Sequence, residues 1–159
     1  MNIISKEVNQ TIVLFSLDGQ HYGLYLAAVD RVVPLVEIIS LPKAPDIVMG
    51  VINFHGEIIP VINIRKRFNL PIRELELDDQ LIIARTSKRL VALVVDLVLD
   101  VQELKNSQLV DIKESFHYTN YLAGIAKVDD DIVLIHDLEK FLSLDEQQEI
   151  GKALSKGKK

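Results

Sequence analysis

The chain contains no cysteine and no tryptophan, with only five phenylalanines and four tyrosines among 159 residues. The missing cysteine removes disulfides, thiolate zinc sites, iron–sulfur clusters and cysteine nucleophiles together. The seven glycines never fall at GxGxxG or P-loop spacing, so no loop is built to cradle a phosphate. There is neither a GxSxG elbow nor an ordered Ser-His-Asp set. No run approaches the roughly 18 apolar residues that span a bilayer. The opening MNIISKEVNQ reaches Glu7 before the apolar core of a signal peptide could form. These absences point to a soluble, cytoplasmic, non-catalytic chain without direct membrane insertion. Net charge is −5, with 23 acidic against 18 basic residues, which does not favour nucleic acid.

What is present is aliphatic. Hydrophobic residues make up 48% of the chain and Val, Ile and Leu dominate them, which favours strands over helices. Thr11 to Leu17 reads as a strand, Asp18-Gly19 as a hairpin turn and Gln20 to Tyr25 as the return strand. Leu26 to Leu35 reads as a short helical turn leading into a strand. Pro42 and Pro45 make a loop of Leu41 to Pro45. Gly50 to Phe54 and Glu57 to Ile64 are paired strands around His55-Gly56, and Arg65 to Asn69 is one helical turn. The later strands are Leu81 to Thr86, Leu90 to Val95, Leu122 to Val128 and Ile132 to His136. Lys105 to Tyr118 is a polar connection, and Asp137 caps a short helix through Leu142.

This grammar occurs twice. Tyr22-Gly23-Leu24 lies over Val91-Ala92-Leu93 at an offset of 69 residues, which also pairs Val29 with Val98 and Val32 with Val101. Gly50 lies over Gly124 at an offset of 74, which pairs Ile64 with Leu138. Two ordered blocks indicate a duplicated β unit, and two small barrels packed together are the natural architecture. The expected domain covers residues 8–143. Its first barrel spans roughly 18–80, and its second roughly 81–143 plus the N-terminal strand. Residues 144–159 follow as a C-terminal helix and basic tail.

Chemistry is sparse. His21, His55, His117 and His136 show no metal-ligand spacing. His136 reads as a strand residue with a satisfied ring. Asp129 to Asp131 lacks the remaining ligands of a calcium loop and reads as a solvated turn. Arg65-Lys66-Arg67 has no interleaved aromatics and reads as a solvated helix face. No catalytic group, cofactor or metal is expected.

The most specific stretch is LPKAPDIVMGVINFHGEIIPVINIRKRFNL, Leu41 to Leu70. Together with Phe15 to Gly23, Val94-Val95-Asp96 and Tyr121 to Leu142, it resembles the signature of the CheW-like family of chemotaxis coupling proteins. The resemblance covers about residues 10 to 143. It implies an all-β fold of two intertwined five-stranded SH3-like barrels with short helices and a C-terminal helix. It further implies an adaptor between the cytoplasmic tips of methyl-accepting chemoreceptors and the regulatory domain of the histidine kinase CheA, recruited to membrane receptor arrays. The positions matching the family's receptor groove are Val13, Leu26, Val29, Val32, Val98 and Val101, with His55 beside them. The positions matching its kinase-facing surface are Ile38, Ile39, Leu41 and Ile58. Read from burial tendencies alone, the same valines equally fit an ordinary core.

Two residues depart from the pattern. The family carries Arg where this chain has His55, which exchanges a fixed multi-donor fork for a ring that titrates near neutrality. Arg31 stands where some members carry an acid. The departures suit a divergent coupling protein tuned to a particular receptor or kinase set. The alternatives are a CheW-like scaffold in a non-chemotaxis two-component pathway and a nucleic-acid-binding β-barrel.

Overall fold

In the first hairpin, Leu17 stands opposite Gln20 across an Asp18-Gly19 turn whose residues both have positive φ, 51° and 79°. Such a turn matches the twist of its strands. The computed structural model describes residues 10–110 and 122–156; His117 lies outside them. Its strands are β1 (Gln10–Leu17), β2 (Gln20–Tyr25), β3 (Val29–Pro34), β4 (Val48–Phe54), β5 (Glu57–Ile62) and β6 (Gln80–Arg85). They continue as β7 (Leu90–Val95), β8 (Leu97–Leu104), β9 (Leu109–Val110), β10 (Leu122–Val128) and β11 (Asp131–His136). Two α-helices, α1 (Ile64–Arg67) and α2 (Leu144–Lys156), and three single 3₁₀ turns complete the description.

The strands form a six-stranded sheet, β8-β1-β2-β11-β10-β9, and a five-stranded sheet, β3-β6-β7-β5-β4. This confirms the all-β expectation and corrects its division. The first hairpin joins the last strands of the chain, while β6 and β7 join β3, β4 and β5. A boundary near residue 80 therefore does not separate the sheets. The sixth strand, β9, arises within the stretch read as a polar connection, where Leu109 and Val110 pair with β10.

Each half lends its hairpin to the other half's remaining strands, and the registers repeat at the sequence offsets. Ile135 and His136 run parallel to Gly23 and Leu24; Val61 and Ile62 run parallel to Ala92 and Leu93. Both hairpins are apolar on both faces, so a swapped position buries each side. Ile12 and Leu14 enter one barrel interior with Ala126, Val133 and Ile135. Ile52, Ile59, Leu81, Ile83 and Ala92 fill the other. The opposite faces meet at a seam of Phe15, Leu17, Leu24, Ile62, Ile82, Ala84 and Leu93, sealed at one side by Phe141, Leu142 and Ile150. At about 1.5–3 kcal/mol per fully buried aliphatic or Phe side chain, this seam joins the sheets into one cooperative body.

Candidate protein-interaction surfaces

The paired valines lie at the rim of the seam, on the edge strands β3 and β8. Residues three apart on a regular strand point to opposite faces. Here a bulge intervenes in both strands. Val29 faces Ala84 and Val32 faces Ile82, with the register shift at Asp30; Val98 faces Phe15 and Val101 faces Val13, with the shift at Leu99. The extra residue restores each second valine to the seam side. Val29 and Val98 are half-buried against the seam core. Val32 and Val101 continue the same faces into solvent at 37% and 52% exposure. Leu26, on the 3₁₀ turn after β2, is 41% exposed. Val13 is only 2% exposed. Its expected contact role is corrected: it stands beside Val101 as floor, because both faces of β1 are covered.

A second apolar surface lies on the outer face of β4 and β5. Ile39 bridges Val51 through reciprocal backbone hydrogen bonds of 2.8 and 2.7 Å, and Ile58 stands opposite Asn53. Alternation places Ile39 and Ile58 on one face, at 50% and 46% exposure. Ile38 turns the other way and packs on the barrel interior; Leu41 is half-buried. Gly50 makes this closing strand possible, since a Cβ there would collide with the Ile39 carbonyl and approach Ile38 Cγ2 at 2.8 Å. The sequence offset gives Ile58 a twin at Ile132, and Val110 opposite Ile125 repeats Ile39 opposite Val51. Both twins are also exposed.

His55 sits in the β4–β5 turn with φ 53°. Its ring meets Phe54 edge-on at 4.2 Å, and the Arg31 guanidinium lies 5.2 Å above that same ring. The two departures from the family pattern thus share one aromatic platform. Arg31 alternates with Val32 on β3, so the platform belongs to the side of the strand away from the groove valines.

The basic triplet is not a solvated face. Arg65 is 7% exposed and forms the centre of an ion cluster. It donates to Asp18 at 2.6 Å and to both Asp96 oxygens at 2.9 and 3.0 Å. Arg73 joins Asp96 at 2.6 Å to Asp79 at 2.7 and 3.0 Å. Burial alone would raise Asp79, but hydrogen bonds from Arg73 and the Glu76 amide hold its carboxyl below the usual range. Arg67 pairs with Glu146 at 2.6 Å, so of the three only Lys66 is exposed. At the position related to Arg65 by the offset, Glu139 accepts from the Ser87 amide and, at 3.0 Å, from its hydroxyl. The residues before these helical turns, Asn63 and Asp137, both cap them.

His136 is buried against Phe68 at 4.2 Å, with Tyr22 and Phe141 alongside. Burial lowers its pKa to about 4, opposed by its contact with the Leu134 carbonyl, so the ring is neutral at pH 7. His21 Nδ1 lies 3.4 Å from Asp131. Among the described residues no three His, Cys, Asp or Glu side chains gather as metal ligands.

Two interlocked β-barrels with apolar surface at the seam rim and on both outer faces define a protein-binding β scaffold. The model of the CheW-like domain matches residues 11–146, and the chain belongs to that family. It is 27% identical to the chemotaxis protein CheW of Klebsiella aerogenes, over 91% of this chain and 88% of that one. Identity to the chemotaxis protein CheW of Thermotoga maritima is 29%, over 82% and 86% of the two chains. The crystal structure of the scaffolding protein TtCheW from Thermoanaerobacter tengcongensis superposes with a TM-score of 0.77 at 32% identity, covering 87% of this chain and 90% of that one.

Proposed function

We propose that this protein is a non-catalytic chemotaxis adaptor that couples the cytoplasmic tips of methyl-accepting chemoreceptors to the regulatory domain of the histidine kinase CheA. In this reading it acts in the cytoplasm and is recruited to receptor arrays; no helix among the described residues is long and apolar enough to cross a membrane. The observation that carries the reading is the presence of two separate exposed apolar surfaces on one rigid body. The groove with Val29, Val32, Val98 and Val101 on its walls, Val13 as floor and Leu26 at its end takes the receptor. The outer face with Ile39 and Ile58, supported by Ile38 and Leu41, takes the kinase, and His55 with Arg31 on Phe54 tunes partner choice. An adaptor needs such independent faces, because it must hold both partners at once. Exposed apolar surface on a folded monomer marks partner contact. Ion pairs with Asp18 and Glu146 engage Arg65 and Arg67, which leaves the nucleic-acid reading without its basic stretch.

Titration calorimetry against the CheA regulatory domain and against a chemoreceptor tip fragment tests this. Val101→Asp is expected to abolish receptor binding and spare kinase binding; Ile39→Asp is expected to do the reverse. Loss of neither, with both variants folded, would overturn the assignment of faces. No binding of either partner to the unaltered protein would move the scaffold to a different two-component pathway.

A further inference from the structure

The offsets that relate the two halves also relate two clefts, and the described residues fill only one of them. In the first, Asn63, Arg65 and Val94 are covered by the strap that follows α1, with Ile72, Arg73 and Leu75 lining the same space. Arg73 is gripped there by Asp96 at 2.6 Å and by Asp79 at 2.7 and 3.0 Å. The twin positions are Asp137, Glu139, Tyr25 and Ala27, and these four line a cleft of their own. No strap among the described residues lies over it. Beyond the 3₁₀ turn at Leu138–Lys140 the chain enters α2 instead of doubling back. That helix is held elsewhere: Ile150 and Leu154 pack on the seam, and Arg89 bonds the side chain and carbonyl of Gln147.

We propose that this open cleft binds an extended segment of a partner protein in which an arginine or lysine is flanked by aliphatic residues, as Ile72-Arg73-Glu74-Leu75 occupies the twin. The charges support a cationic occupant. Where the filled cleft has neutral Asn63 and cationic Arg65, the open one has Asp137 and Glu139. Asp137 already accepts the Glu139 amide at 3.0 Å, and Glu139 accepts from Ser87. A carboxylate offers about four acceptor sites, so both retain capacity. Arg85 lines the same cleft and balances part of this charge, which limits the site to one cation. Tyr25 and Ala28 supply the apolar contact. Asp96 and Asp79, the two acids that grip Arg73, have Ala27 and Gln10 as twins at the 69-residue offset, so the open cleft lacks both and relies on Asp137 and Glu139 instead.

The test uses the full-length protein and the peptide Leu-Pro-Ile-Arg-Ser-Leu, the strap sequence Leu70 to Leu75 with Ser in place of Glu74, followed by NMR amide shifts. Saturable shifts centred on Tyr25, Ala28 and Glu139 are expected. An analogue with Gln in place of Arg is expected to bind about tenfold more weakly, the effect of one charge-assisted hydrogen bond. Ala27→Asp, at an exposed position, restores one of the two missing acids and is expected to tighten the arginine peptide about tenfold while leaving the glutamine analogue unchanged. Absence of saturable binding to both the unaltered protein and Ala27→Asp would overturn the proposal. So would equal affinity for the two peptides, or shifts centred on Val32 and Val101 or on Ile39 and Ile58. The proposal does not rest on the adaptor reading, and its failure leaves the outcomes for Val101→Asp and Ile39→Asp untouched.

Discussion

The two ends of the seam are built on one plan with different chemistry. At one, the β1–β2 turn is tied to α1 through Asp18 and Arg65, and the Arg65 end of the bond is buried within a cluster that includes Asp96. At the other, the β6–β7 turn is tied to the equivalent 3₁₀ turn through Ser87 and Glu139, both exposed. The tie between a hairpin turn and the side chain of a helical turn is therefore the shared element, and the burial of that side chain decides its strength. Removing the buried Arg65 guanidinium loses its packing and three charge-assisted hydrogen bonds together, although Asp18 and Asp96 keep contact with water. An exposed pair of polar groups returns to solvent almost without loss. Arg65→Ala is expected to lower unfolding stability by about 2 kcal/mol, against about 1 kcal/mol or less for Glu139→Ala. Urea midpoints at fixed pH would read the difference; equal losses would break the comparison.

The seam itself offers a second contrast. Ile62 and His136 are twins by the 74-residue offset, and both are buried in the seam-facing registers of β5 and β11. Ile62 does not titrate. His136 does, and its folded pKa of about 4 lies below the ordinary value of 6.5. Between these values the unfolded chain binds a proton that the folded one refuses. Stability is therefore complete above pH 6.5 and falls as pH drops toward 4, by up to about 3 kcal/mol. Replacing the ring with its twin's side chain, His136→Ile, is expected to flatten that part of the stability–pH profile. A slope that survives the substitution would assign the loss to the carboxylates instead.

The turns and the duplication were legible because they are local. Asp18-Gly19, His55-Gly56 and the apolar alternation around them specify hairpins whatever they pack against. The valine pairs followed from the same offsets, and the structure sets both pairs at the seam rim. The exchange of hairpins between halves was not legible. A strand apolar on both faces satisfies either barrel, so β2 could pair with β5 or with β11 on pattern alone. Val13 was misread for the same reason, since alternation does not sort the residues of a strand covered on both sides. Arg65 was hidden differently. Three consecutive bases read as surface, and the acids that bury Arg65 lie 47 and 31 residues away. Their signal was present only in placement: Asp18 in one hairpin turn, and Asp96 directly after β7.

The smallest expected effect tests how far the two halves are interchangeable. Gly50 and Gly124 are twins, and each stands just after a bulge, at Met49 and Ala123. Gly50 lies against the closing segment, where Ile39 pairs with Val51 and leaves no room for a side chain. Among the described residues, none beyond its chain neighbours has a heavy atom within 4 Å of the place where a Cβ on Gly124 would stand. Its barrel is closed instead by Val110 opposite Ile125. Gly50→Ala must push back the backbone of Ile39, and overpacking of this kind costs about 2 kcal/mol. Gly124→Ala is expected to change stability by no more than about 0.5 kcal/mol, since the added methyl meets none of the described residues and the unfolded chain loses freedom. Thermal unfolding of the two variants measures this directly. Ile39 also belongs to the face assigned to the kinase, so Gly50→Ala is expected to weaken CheA regulatory-domain binding while Gly124→Ala leaves it unchanged. Equal behaviour would mean that the β4 edge relaxes as freely as the β10 edge, and that the closing segment does not fix the position of Ile39.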